Sequence, residues 1–238
     1  MRRETQNVLL VLLGGALLKI GFNGDYLRYV KPAQLPWLLA GGAVMVALGA
    51  IAIVRDILAA RAGRTVGHGD GHGHHHPARS AWLLVVPVLA VFLVAPPALG
   101  AYSVTRSEAR PAVQSSAAFP PLPPGDPLPM TMTQFVTRAG WDAGGSLDGR
   151  TVELTGFVSH DKGSALLARM VITCCAADAY PLKVRLVGRR VAAYADDTWL
   201  QVTGQVVPNT ATRQNSYTAD FVVGTAKRIS APQNPYED

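Results

Sequence analysis

Apolar positions are concentrated in three runs near the start of the chain, at 8–22, 37–54 and 82–101; the second and third carry no charge over 18 and 20 residues. Uncharged runs of this length match the hydrocarbon core of a bilayer and exceed an ordinary buried helix. The pattern predicts a membrane anchor of three helical spans over residues 1–101. A signal peptide is the other reading of the opening Met1-Arg2-Arg3 and its apolar run. The run continues through Gly14-Gly15 and Lys19 to Phe22 without a small-residue cleavage site, which favours an uncleaved span. Lys19 is placed either to snorkel to the interface or to face the bundle and contact a partner or permeant.

Beyond residue 101 the pattern changes twice. Pro111, Pro120, Pro121, Pro123, Pro124, Pro127 and Pro129 crowd the stretch 102–129, a composition that favours an extended, semi-rigid spacer. From residue 130 the chain alternates in the manner of a small β-domain, ending near 232 with a short tail at 233–238. A helix is expected at 133–139, with Thr131 or Thr133 as its cap. Strands are expected at 151–158, 166–173, 182–187, 198–206 and 219–229, with a short helix at 190–195. Gly156 and Gly204 fall mid-strand, where glycine marks a bend or bulge. Five short strands with such bends suggest a five-stranded barrel of the OB type, so the expected fold class is membrane α-helical plus a small all-β domain.

Charge refines this division. Residues 1–129 hold 11 Lys/Arg against 6 Asp/Glu, and residues 130–238 hold 11 against 10, so the net charge of +6 belongs almost wholly to the membrane half. A nearly neutral β-domain lacks the electrostatic footprint of a nucleic-acid binder. In the anchor, basic residues set topology and meet anionic lipid. Arg2, Arg3, Arg55, Arg61, Arg64 and Arg79 fall on one side, and Arg28, Lys31, Arg106 and Arg110 on the other. That balance places the N-terminus inside and the β-domain outside.

Two segments carry candidate chemistry. His68, His72, His74, His75 and His76, with Asp70, lie on a glycine-rich loop between the second and third runs. Imidazoles on such a backbone suit a loose site for zinc, nickel or copper, or form a solvated linker with incidental affinity. The only cysteines, Cys174 and Cys175, are adjacent and cannot staple distant segments. If the strand ends there, a turn through Ala176-Ala177 swings Asp178 back towards the thiols. With His160 as a fourth ligand this makes a zinc set. The competing reading is two small residues closing the barrel, with Arg169 and Asp178 paired. No C-x-x-C, thioredoxin-like pattern or P-loop is present, which disfavours a thiol redox enzyme or a nucleotide hydrolase.

Taken together, Gly156-Phe157-Val158, Arg169, Cys174-Cys175-Ala176-Ala177-Asp178-Ala179 and Asp197-Thr198-Trp199-Leu200-Gln201-Val202-Thr203-Gly204 resemble the YcgQ-like family of bacterial membrane proteins. Tyr29-Val30-Lys31-Pro32 is similar to that family as well. The resemblance implies a multi-pass plasma-membrane subunit of a two-component permease, paired with a larger polytopic partner and associated with zinc supply. It marks Arg169, Cys174, Cys175 and Asp178 as functional residues and supplies no catalytic residue or transported substrate. The expected function is therefore an accessory permease subunit linked to zinc and not an enzyme. The alternatives are a metal-binding or metal-sensing protein acting without a permease, and, with less support, a thiol redox enzyme.

Overall fold

The computed structural model describes residues 3–61, 85–94, 97–107, 119–188 and 191–237. The chain divides into two compact units, one made of Met1–Tyr26 and Pro32–Pro97, the other of Leu27–Lys31 and Ala98–Asp238.

In the first unit, helix α1 (Arg3–Phe22) and helix α2 (Leu35–Arg61) form an antiparallel pair. Glycines set their separation. A Cβ on Gly14 would lie 2.7 Å from the Gly42 carbonyl oxygen and 2.9 Å from Val46, so alanine has no room and the backbones touch. Asn7 donates to Asp56 at 3.3 Å at the far end of the pair. Helix α3 (Val85–Leu93) follows. Among the described residues one helix, Pro32–Arg61, is long and apolar enough to cross a membrane, where three spans were expected. The apolar part of α1 is shorter, Gln6–Phe22, because polar residues open that helix. Helix α3 has nine residues, and positions 82–84 and 95–96 of the third run lie outside the described residues. An apolar helix this near the N-terminus fits a membrane span or a signal sequence.

The second unit is a mixed seven-stranded sheet with helices against it. Its strands are β1 (Leu128–Pro129), β2 (Val152–Asp161), β3 (Ser164–Val171), β4 (Tyr180–Val187), β5 (Trp199–Val206), β6 (Ala219–Arg228) and β7 (Tyr236–Glu237). The order is β1-β2-β5-β6-β4-β3-β7, and β2 also pairs with β3. Pairing is antiparallel except for β1 with β2, β4 with β6 and β3 with β7. The five long strands are those expected from the alternation; β1 and β7 arise from the stretches read as linker and tail. Strand β2 bends to pair with both β5 and β3 along its length. Its first half pairs with β5 and its second with β3, and at Gly156 the Ala168 carbonyl stands where a Cβ would be. Gly204 sits at the register shift between β5 and β6, against the Val222 carbonyl oxygen.

Helix α4 (Ala101–Arg106) and helix α5 (Met132–Trp141) complete the unit. Thr131 caps α5, its hydroxyl accepting from the Gln134 amide at 3.1 Å. Phe135 of α5 packs edge-on against Phe221 at 5.5 Å, within a buried core that includes Leu154, Leu167, Val184 and Leu200. A second cluster of Val104, Phe157, Met170, Ile172 and Tyr236 lies beneath α4. The expected helix at 190–195 is a single turn, Val191–Ala193.

The described parts of 102–129 belong to this unit and are not a free spacer. Proline-rich backbone is rich in acceptors and poor in donors. Arg138 donates to the Pro120 carbonyl at 2.8 Å, and Arg150 to the Pro123 and Gly125 carbonyls at 3.1 and 3.0 Å. Those bonds draw the segment onto α5 and the turn that leads into β2.

Candidate metal centre

Strand β3 stops at Val171, and the chain leaves the sheet through Ile172, which is still buried, and Thr173. Cys175 is extended (φ −154°), and Ala176–Asp178 form one 3-10 turn in which the Asp178 amide donates to the Cys175 carbonyl at 3.1 Å. Two alanines let the chain turn without crowding. The turn folds Asp178 back over the loop, where one carboxylate oxygen accepts from the Thr173 amide at 2.7 Å and the other from the Cys174 amide at 2.8 Å. Both are charge-assisted bonds.

The result is two thiols and a carboxylate whose ligand atoms all lie within 4.8 Å of one another. Both cysteines are free, Cys174 is exposed, and their Sγ atoms are 3.6 Å apart. A disulfide needs about 2.05 Å. The Cys174 thiol is pushed up to about 11, first by its contact with Asp178 and then by Cys175. In return, the Cys174 thiol, with help from the Thr173 and Cys174 amides, holds the Asp178 carboxyl below the ordinary range. A protonated thiol is a poor nucleophile but still becomes a ligand when a metal ion displaces its proton.

The donor chemistry fits zinc. Two thiolates bound at about 2.3 Å in a tetrahedron stand about 3.8 Å apart, close to the separation of these sulfurs. Each Asp178 oxygen accepts one amide and keeps a lone pair for a ligand bond.

The other expected site residues lie elsewhere. His160, proposed as fourth ligand, is at the end of β2 opposite the start of β3, pairing with Ala165. Strand β3 lies between it and Cys174, which at about 3.3 Å per residue is more than roughly 20 Å. Its ring is instead engaged by Asp196 at 2.7 Å. Arg169 is buried. It stacks 4.8 Å over the Trp199 ring and donates to the Asn234 carbonyl at 3.0 Å, so it positions the C-terminal strand and does not pair with Asp178 as the competing reading held. His68, His72, His74, His75 and His76 lie outside the described residues.

Three features carry no periodic signal in the sequence, although Tyr29-Val30-Lys31-Pro32 and Asp197 fall in segments that carry the resemblance. Val30 forms an antiparallel bridge with Cys175, the Lys31 amide donates to the Cys174 carbonyl at 3.3 Å, and the Ala176 amide donates to the Tyr29 carbonyl at 2.7 Å. Glu237 caps α5, accepting from the Met132 and Thr133 amides at 2.8 and 2.9 Å. The Asp197 carboxylate accepts from the Ala101 amide at 2.7 Å at the start of α4. Each joins segments far apart in the chain through one or two residues, too few for any periodic pattern.

No curated protein and no solved structure matches the chain. Residues 142–237, which include every residue of the Cys-Cys-Asp cluster, match the model of the DUF1980 C-terminal domain, a domain of unknown function.

Proposed function

We propose that this protein is a membrane-anchored, zinc-handling subunit that serves a polytopic permease partner, and that its C-terminal unit takes the ion at Cys174, Cys175 and Asp178. One observation carries the reading: two thiols and a carboxylate converge within 4.8 Å on a loop at the protein surface. Three protein donors leave a tetrahedral ion one position for water or an incoming donor, which suits passage of the ion better than a structural role. Zinc bound there would be labile and open to capture by a second ligand set. The upward push on the Cys174 thiol fits a metal ligand better than a metal-free nucleophilic or redox cysteine.

The finer architecture belongs to the same proposal. Pairing runs from β2 through β5, β6, β4 and β3 and returns to β2, which supports an OB-type five-stranded barrel. The three apolar runs and the distribution of arginines support a multi-pass plasma-membrane anchor with this barrel on the extracytoplasmic side. The permease partner rests on the resemblance and on the exposed apolar face of α2, including Trp37, Val44, Leu48 and Ile51, which a bilayer or another helix would cover.

The test is the zinc content of the full chain, extracted in detergent without a histidine tag and dialysed against a weak chelator. About one equivalent is expected in the native protein, lost in Cys174→Ser and in Asp178→Ala. Equal zinc in all three proteins would remove the cluster from consideration.

A further inference from the structure

We infer that the loop 174–178 is a latch on the segment Leu27–Lys31, tightened by the ion it binds; the inference rests on the zinc reading above. The segment is chain-distant from the loop yet belongs to the same compact unit. It is held there on two sides. On one, the Lys31 amide donates to the Cys174 carbonyl at 3.3 Å and the Ala176 amide to the Tyr29 carbonyl at 2.7 Å, flanking the Val30–Cys175 bridge. On the other, the Tyr236 hydroxyl donates to the Arg28 carbonyl at 2.9 Å.

The groups that make the latch and the groups that would bind the ion sit on the same residues. Cys174 offers its carbonyl to Lys31 and its thiol to the ion. Cys175 forms the bridge and supplies the second thiol. Chelation fixes the backbone of 174–178, and a fixed backbone loses less entropy when it pairs with 29–31. By reciprocity, whatever factor the ion adds to latch closure, the latch adds to ion affinity. The latched segment continues directly into Pro32, the first residue of the apolar helix Pro32–Arg61. Ion occupancy is thereby read out on the chain that enters that helix, a form in which a transport partner could sense it.

The experiment is hydrogen exchange of the full chain in detergent, with and without saturating zinc, reading peptides that cover 27–31 and 173–178. Zinc is expected to slow exchange of the Lys31 and Ala176 amides about tenfold or more in the native protein, and to leave them unchanged in Cys174→Ser. Lys31→Pro removes one latch donor and no ligand, and should weaken zinc binding by up to about tenfold, the reciprocal of the effect of zinc on the latch. Tyr236→Phe releases the other side and should shift zinc affinity in the same direction. Zinc that binds the native protein and not Cys174→Ser, but leaves both amides unprotected, would overturn the latch and spare the metal site. Native zinc affinity in both Lys31→Pro and Tyr236→Phe would do the same. Absence of zinc binding to the native protein would overturn both readings.

Discussion

Asp178 accepts from two backbone amides while facing two thiols, so a single carboxylate both shapes the loop and sets the chemistry of its neighbours. Because Asp178 is the main cause of the upward push on Cys174, Asp178→Asn should return that thiol towards its ordinary range. At pH 8 more of it is then thiolate, and the metal-free variant should be alkylated at Cys174 roughly tenfold faster or more, since a thiol whose pKa falls by about one holds about ten times as much thiolate. Site-resolved mass spectrometry of iodoacetamide labelling checks this; unchanged labelling would mean that Asp178 does not govern the thiol. Asp142 shows the same logic in a structural role. It accepts from the Gly144 and Ser146 amides at 2.9 and 3.1 Å, and its contacts with Ser146 hold its carboxyl below the ordinary range. A carboxyl lowered on folding stabilises the fold above its unfolded value, about 3.9, and that contribution is lost as pH falls through the folded value. Melting temperatures should therefore show Asp142→Asn less stable than the native protein at pH 7, with the gap closing below about pH 4.

At the scale of elements, the long strands were legible because a half-buried strand must alternate and because Gly156 and Gly204 mark where backbone meets backbone. Helix α5 was legible from its cap. The turn that returns Asp178 to the thiols was also readable, since it spans only a few residues and its geometry is local. Pairings made by two-residue strands were not. Tyr236 and Glu237 carry no pattern, yet they form β7, bury an aromatic ring beneath α4 and cap α5. Glu237→Ala removes the acceptor of two helix N-terminal amides and should cost about 0.5–2 kcal/mol, read by urea denaturation of the full chain. Truncation before Tyr236 should cost more, about 3–5 kcal/mol, because it also deletes a buried aromatic side chain. Equal stability of the truncated and native chains would show that β7 holds nothing. His160 failed as a ligand for a reason the strand register makes plain: β3 has eight residues, and a group at its start cannot meet one beyond its end.

For the whole molecule, the greasy first part and the β-rich second part are both present, but the border between them is not where composition put it. Leu27–Lys31, enclosed by the apolar runs, belongs with the β-unit. So do the described residues of the proline-rich stretch, because arginines reach its carbonyls. Composition reports the average environment of a segment and is blind to a few backbone bonds that recruit it elsewhere. The chain thus offers two candidate sites of different chemistry, imidazole-rich at positions 68–76 of the sequence and sulfur-rich at 174–178. Zinc-edge X-ray absorption of the full chain loaded with one equivalent of zinc separates them. Two sulfur neighbours at about 2.3 Å are expected, with the remaining ligands oxygen or nitrogen. A first shell of nitrogen and oxygen alone would contradict that expectation, since the ion would then be bound without Cys174 and Cys175.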